Sequence, residues 1–217
     1  VKDRENRISV SGEAVVDARL NTMIENAAGV RLSTIEHLMA AFAALGIANV
    51  TVEVDGPELP ILDGSALGFV QLLDRAGFRR QPTPVRYIEI LEPVHVTEGD
   101  KHAALTPCDR YEMRFEIDFP TPVIGNQVID FVVDEATFRR EIMAARTFGF
   151  AHEVEALRQA GLARGGSLEN AIVMDEYRIL NADGLRYDDE FVRHKILDAI
   201  GDLYLVGHPL LAAYEAH

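Results

Sequence analysis

The hydrophobic pattern in the first half of the chain predicts a pair of helices. From Ser33 to Leu45, apolar residues recur at helical spacing along one stripe, and Gly46 follows the run. A second helix is expected from about Ser65 to Ala76, where Asp63 is placed to cap its start and Gly77 to end it.

Alternation of apolar and polar residues predicts the strands. Residues 50–54 alternate valine with polar residues, which indicates a half-buried strand. The alternation from Tyr111 to Phe119 is the strongest strand pattern in the chain. Residues 86–97 and 102–106 predict a hairpin, and residues 126–133 predict a further strand.

The last part of the chain returns to mixed structure. Helices are expected at residues 134–142 and 153–160, and a strand at residues 171–180. Residues 181–184 (N-A-D-G) predict a turn. A long helix then begins near Asp188, in a run of acidic residues that suits the helix dipole, and continues to Val206.

Two prolines at residues 79–84 interrupt the regular pattern and suggest a domain boundary. We therefore expect two domains, residues 1–80 and residues 86–217, each with strands followed by paired helices. This order favours an α+β fold in which two similar α+β layers pack together.

Composition and charge narrow the classes of function. Apolar residues make up 48% of the 217 residues, as in an ordinary globular protein. The net charge of −14 disfavours nucleic acid as a partner, because phosphate binding needs a basic face. A single cysteine, Cys108, excludes an internal disulfide and fits a reducing cytoplasm. The sequence contains neither a signal peptide nor an apolar run of roughly 18 residues, so we expect a cytoplasmic protein without a membrane span.

Side chains able to bind a metal concentrate in two of the predicted helices. His37 lies near the start of the first helix, while His194 and Asp198 lie one turn apart on one side of the last helix, with Asp202 a turn later. Two imidazoles and one carboxylate leave one position of a catalytic zinc ion open. Glu36, beside a ligand, is then placed to deprotonate water.

Spacing alone leaves other interpretations open. Ser33 and Glu36 also fit a capping box, in which Glu36 only binds the backbone at the helix start. His37 then is a partly buried histidine of the core, and His194 with Asp198 a polar pair on one helix.

Five short motifs carry a resemblance to a known family. They are S-T-I-E-H-L at 33–38, P-I-L-D-G-S-A at 60–66, A-R-T-F-G-F at 145–150, G-G-S-L-E-N-A-I-V at 165–173 and H-K-I-L-D-A-I-G-D-L-Y at 194–204. In this order they resemble the UDP-3-O-acyl-N-acetylglucosamine deacetylases of lipid A synthesis. The resemblance implies two α+β domains with their helices between the sheets and a zinc site at the domain interface.

The resemblance also implies roles for individual residues. His37, His194 and Asp198 match the zinc ligands of the family, and Glu36 matches the general base that activates water. Thr147 matches a threonine that helps to hold the amide oxygen as negative charge develops on it. Further matches are Lys195 to an active-site lysine and Asp202 to an aspartate that supports a second catalytic histidine.

Substrate contacts are implied in the same way. Phe148 matches a phenylalanine against the sugar ring, and Lys101 matches a basic residue near the diphosphate. Residues 147–173 correspond to an insert that forms a hydrophobic passage for the acyl chain. Its lining positions fall at Val154, Ala163 and Leu168.

We therefore expect a zinc-dependent hydrolase that removes the acetyl group of an acylated UDP-N-acetylglucosamine, and we expect it to be a monomer. The family's second catalytic histidine is expected beyond His217, so this chain alone is predicted to aggregate or to bind zinc with little turnover. Two alternatives are a zinc- and ligand-binding relative without activity and a metal-free protein that binds sugar nucleotides.

Overall fold

The computed structural model of this protein describes residues 6–153 and 165–217, and its first half contains a small sheet and two helices. The elements are a 3₁₀ turn (Gly12–Ala14), strands β1 (Val15–Asp17), β2 (Met23–Glu25) and β3 (Arg31–Leu32), and helices α1 (Glu36–Ala44) and α2 (Leu67–Ala76). The three strands form an antiparallel sheet in the order β1-β2-β3.

The second half is built on a larger sheet. Its elements are β4 (Ile88–Glu89), β5 (Val94–Glu98), β6 (Lys101–Pro107), β7 (Tyr111–Asp118), β8 (Asn126–Val132), α3 (Glu135–Glu141), β9 (Phe148–Phe150), β10 (Ile172–Met174), α4 (Glu190–Tyr204) and β11 (Leu210–Ala216). The sheet order is β5-β6-β11-β7-β8, with β4 beside the start of β11. Strands β9 and β10 form a separate parallel pair. This mixture of sheets and helices confirms the α+β class, and the division into residues 1–80 and 86–217 stays a prediction.

Most of the predicted elements of the second half are confirmed. The hairpin β5–β6 turns at Gly99, whose φ of 64° suits glycine, and the alternating stretch forms β7. Helix α3 begins after Asp134, whose side chain accepts a hydrogen bond from the N–H of Thr137 in a capping box. The last helix ends before Gly207, which also has a positive φ.

Three of the predicted strands are wrong in part or in whole, and one of them, at residues 86–97, is divided into β4 and β5. Residues 50–54 form no strand, and their valines are 49%, 43% and 40% exposed. Alternation makes a strand only where a neighbouring strand supplies hydrogen bonds, and none in the described part of the chain pairs with this segment. The strand expected at residues 171–180 is limited to β10, with one bridge from Met174 to Ile179. The helix expected at 153–160 lies almost wholly outside the described residues.

Helix α1 begins later than the hydrophobic stripe predicts. Ser33 is extended and bridges Glu58, and Thr34 has a φ of 59°, so neither residue belongs to the helix. The residue before the helix is Ile35, and it makes no side-chain cap. The capping box proposed for Ser33 and Glu36 is therefore not formed.

The core lies between the helices and the large sheet, and its centre is the contact of α1 with α4. Gly201 of α4 lies against the backbone of α1, so that a Cβ at this position would stand 2.0 Å from the carbonyl oxygen of Glu36. Only glycine allows this separation of the two helices. The apolar side chains of α1 and α4 are buried around this contact: Leu38, Met39, Phe42, Ile196, Leu197 and Ile200. Among the described residues, no helix has the length and apolar character needed to cross a bilayer.

Candidate active site

The start of α1 places Glu36 and His37 in the interior, with 8% and 3% of their surfaces exposed. The segment before the helix is held by backbone hydrogen bonds, including one from the N–H of Ile35 to the carbonyl of Thr22 at 3.4 Å. The N–H of Thr22 in turn donates to Oε2 of Glu36 at 3.1 Å. The carboxylate is thus oriented by the backbone of the β1–β2 connection.

Helix α4 brings His194 and Asp198 to the same place. Their four-residue spacing puts both side chains on one face of the helix. Oδ1 of Asp198 lies 3.3 Å from Nε2 of His194 and 3.5 Å from Nε2 of His37. Ligand atoms of all three residues lie within 4.8 Å of one another, so the structure unites the three predicted ligands across α1 and α4.

The hydrogen bonds of these residues fit a metal ion between them. Oδ1 of Asp198 is buried without a hydrogen-bond partner, whereas Oδ2 accepts from Nζ of Lys195 at 3.1 Å. Nδ1 of His194 lies 3.0 Å from the carbonyl oxygen of Ala145. A carbonyl only accepts, so Nδ1 carries the proton and the lone pair of Nε2 faces Asp198. Two imidazoles and a carboxylate are also a typical donor set for zinc.

Burial and charge set the protonation states of the cluster. Burial lowers the pKa of His194 to about 4, so its imidazole is neutral near pH 7 and able to bind a metal. Burial alone would raise the pKa of Asp198, but the positive charges of His194, which is protonated only at low pH, and of Lys195 outweigh it and hold that pKa well below its usual range. The charge of Asp198 in turn raises the pKa of Lys195.

Two further carboxylates beside the cluster titrate nearer neutrality. Burial raises the pKa of Glu36 to about 7 and, with the nearby charge of Asp198, raises that of Asp202 to about 6. Asp202 also accepts a hydrogen bond from the hydroxyl of Thr22 at 2.6 Å. A group with a pKa near the working pH is suited to take and return a proton.

The cluster opens to a cavity of about 390 Å³. Its polar and aromatic lining includes Asn21, Thr22, Glu36, Phe115, Lys195, Asp198, Asp202 and Tyr214. Two of the predicted catalytic carboxylates, a candidate ligand and the lysine thus share one space that a small polar group can enter.

Phe148 begins β9 and packs beside helix α4, and Thr147 is the residue before it. The N–H of Thr147 donates to the carbonyl of Gly64 at 2.8 Å, and its carbonyl accepts from the N–H of Ile172 at 2.8 Å. The ring of Phe148 packs on that of Phe191, with centroids 5.0 Å apart, and Nζ of Lys195 lies 5.4 Å from the Phe148 centroid. The structure therefore places Phe148 against the helix that carries His194 and Asp198, and Thr147 directly precedes it in the chain.

The sequence matches known proteins over nearly its whole length. The family model for UDP-3-O-acyl N-acetylglycosamine deacetylase (LpxC) matches residues 1–217. The chain belongs to this family. The UDP-3-O-acyl-N-acetylglucosamine deacetylase of Phenylobacterium zucineum (strain HLK1) is 61% identical over 215 residues, which are 99% of this chain and 73% of the relative. The resemblance drawn from the five motifs, and with it the class of deacetylase, is confirmed.

Some of the expected substrate residues of this deacetylase lie away from the cavity. Lys101 begins β6 at the turn of the β5–β6 hairpin, where it is exposed and outside the residues that line the cavity. Leu168 is 53% exposed on a turn. Val154 and Ala163 lie outside the described residues.

Three residues of the site escape prediction from the sequence. Thr22 bonds both Glu36 and Asp202, but a single threonine before a short strand carries no local pattern. Arg146 and Glu190 form a buried ion pair behind Thr147. The position of Arg146 in the A-R-T-F-G-F motif is the only sequence feature that points to it. Glu190 is indicated by the sequence only as part of the acidic run at a helix start.

Proposed function

We propose that this chain hydrolyses the N-acetyl group of UDP-3-O-(3-hydroxyacyl)-N-acetylglucosamine with the help of zinc. The products are acetate and the free amine, and the reaction is the committed step of lipid A synthesis. We also propose that it acts as a monomer in the cytoplasm, where its single cysteine stays reduced.

One observation supports the zinc site above all others. The buried Oδ1 of Asp198 has no hydrogen-bond partner and faces the Nε2 atoms of two histidines. A buried carboxylate oxygen without a partner is costly, and a cation between the three side chains would remove that cost. His37, His194 and Asp198 would hold the ion, which supplies Lewis-acid polarisation of a carbonyl and lowers the pKa of water.

The surrounding residues are arranged for hydrolysis of an amide. Glu36 takes a proton as water attacks the acetyl carbon, and the hydroxyl of Thr147 donates to the oxygen on which negative charge develops. The C–N bond then breaks as the amine nitrogen receives a proton, which Glu36 holds after the attack. The positive charge of Lys195, beside Asp198, favours the anionic transition state.

The substrate contacts are part of the same proposal. Phe148 supports the sugar ring, Lys101 pairs with the diphosphate, and residues 147–173 enclose the acyl chain with Val154, Ala163 and Leu168 among the lining. Each buried methylene contributes about 0.8 kcal/mol toward holding the acetamide in place. Sugar nucleotide without the acyl chain is therefore expected to react far more slowly.

Metal content and acetate release together test this function. The wild type, purified without chelator, is expected to hold about one equivalent of zinc and to release acetate from the acylated substrate at a low rate. His194→Ala is expected to lose both. Equal zinc content in wild type and variant would remove the proposed site, and zinc binding without acetate release would favour the inactive relative.

Two controls sharpen the assay. A version extended at both ends to the length of its relatives tests the prediction that a histidine beyond His217 raises the rate. A non-acylated UDP-N-acetylglucosamine tests the acyl passage, and equal rates with both sugars would refute it. Sugar-nucleotide binding by a protein without zinc would support the metal-free alternative.

A further inference from the structure

A buried ion pair joins the segment before Thr147 to helix α4. Glu190 is fully buried in the first turn of α4, four residues before His194. Its Oε1 accepts from the backbone N–H and the Nε of Arg146, at 3.0 and 2.9 Å. Its Oε2 accepts from Nη2 of Arg146 at 3.1 Å and from the backbone N–H of Arg186 at 2.6 Å. The carboxylate is thus held by four donors.

The backbone of the short segment 144–147 makes hydrogen bonds to four surrounding residues. The partners are as follows: the Ala144 carbonyl accepts from Arg186, the Ala145 carbonyl from His194, while the N–H of Arg146 donates to Glu190 and that of Thr147 to Gly64. Two of these four bonds go to side chains of α4, one turn apart. The segment therefore has one fixed position along the helix that carries His194 and Asp198.

The chemistry of the Arg146–Glu190 pair suits a role in orienting hydrogen-bond donors more than a role in stabilising the fold. A buried ion pair loses much of its attraction to desolvation, and two well-packed apolar side chains would hold the fold as well. Apolar side chains, however, accept no hydrogen bond from a backbone N–H. Only a carboxylate at position 190 offers two acceptor oxygens that fix both the guanidinium and the N–H next to Thr147.

We propose that Glu190, through Arg146, is a positioning residue that sets the hydroxyl of Thr147 against the metal-binding face of α4. The proposal rests on the function proposed above, in which Thr147 stabilises the developing oxyanion. When such a donor is misplaced by a fraction of an ångström, the transition state loses more stabilisation than the bound substrate does. Loss of the carboxylate is therefore expected to lower kcat and to leave KM nearly unchanged.

A double-mutant cycle on the family-length, zinc-loaded protein tests the proposal. Glu190→Gln keeps the shape but turns an NH₂ group toward the donors of Arg146. We expect its kcat to fall about tenfold or more, with KM within about threefold of the wild type. In a Thr147→Ala background the same change is expected to lower kcat by less than about threefold, because its effect acts through the lost hydroxyl. Effects that multiply, or an unchanged kcat, would overturn the proposal.

Asp189→Asn is the matched control, since Asp189 precedes Glu190 and pairs with Arg193 on the outer side of the same helix. We expect it to lower the melting temperature with kcat kept. Should Glu190→Gln fail to melt cooperatively, Arg146→Lys replaces it in the cycle, because it keeps the charge but loses the planar fork.

Amide hydrogen exchange gives a second readout that needs no turnover. The amides of Arg146 and Thr147 are expected to exchange faster in Glu190→Gln and at the wild-type rate in Asp189→Asn. A wild type that releases no acetate would refute the proposed function, and exchange would still decide whether Glu190 holds the segment. Unchanged exchange at both amides would overturn the positioning role.

Discussion

The protonation and orientation of the Glu36 carboxylate are set by its surroundings. Burial raises its pKa to about 7, and the backbone N–H of Thr22 fixes one of its oxygens. The hydroxyl of the same threonine donates to Asp202. One residue of the β1–β2 connection thus orients two carboxylates that lie on different helices.

Replacement of Glu36 by glutamine separates catalysis from stability. Because the amide takes no proton, we expect Glu36→Gln to retain zinc and to lose deacetylation by roughly 10²-fold or more. A purely structural role, through the hydrogen bond with Thr22, would instead cost about 1 kcal/mol of unfolding free energy and keep the rate. Zinc content, melting temperature and rate on one variant distinguish these outcomes. Glu135→Gln, in the exposed first turn of α3, is the control.

At the scale of elements, the site depends on how closely α1 and α4 approach. His37 is on α1, whereas His194 and Asp198 are on α4, so the separation of the helices sets the separation of the ligand atoms. Gly201 permits that approach, since its missing Cβ leaves room for the carbonyl of Glu36. A second close approach, of Gly64 to the backbone of Asn170 behind Thr147, has the same cause.

Gly201→Ala is expected to damage fold and metal site together. The new methyl group would lie 2.0 Å from the carbonyl oxygen of Glu36 and 3.1 Å from the backbone nitrogen of Ala40, so the helices must move apart. We expect a loss of roughly 1–3 kcal/mol of unfolding free energy and weaker zinc binding. Melting temperature and zinc titration measure the two effects. Gly165→Ala, where a Cβ meets nothing within 4 Å, should change neither; wild-type zinc affinity in Gly201→Ala would contradict the argument.

At the scale of the molecule, the candidate metal site joins the two halves of the chain. His37 precedes the proline-containing segment at 79–84, and the other two ligands follow it by more than a hundred residues. A ligand that binds only the folded arrangement stabilises the whole fold by mass action. Binding of a metal ion at the candidate site would therefore be coupled to the global stability of the protein.

Zinc removal is expected to lower the melting temperature of the whole chain. Free zinc at a hundred times its dissociation constant would add about 2.7 kcal/mol to the free energy of unfolding, and a chelator would withdraw it. The shift should disappear in Asp198→Ala, measured by thermal unfolding with and without zinc. His95→Ala, an exposed histidine of β5, should keep it. An equal shift in Asp198→Ala would mean that zinc acts elsewhere.

The sequence by itself determined the family, the α+β class, the long helix with His194 and Asp198, and the alternating strand β7, because these depend on local periodicity and on motifs of adjacent residues. Only the tertiary structure decided which residues of distant segments contact one another. In the folded protein residues 50–54 have no partner strand among the described residues, and α1 begins at Glu36, whose carboxylate accepts from the N–H of Thr22 instead of forming the expected capping box. The pairing of Arg146 with Glu190 likewise spans 44 residues of chain. Such contacts follow from packing, which no short sequence window contains.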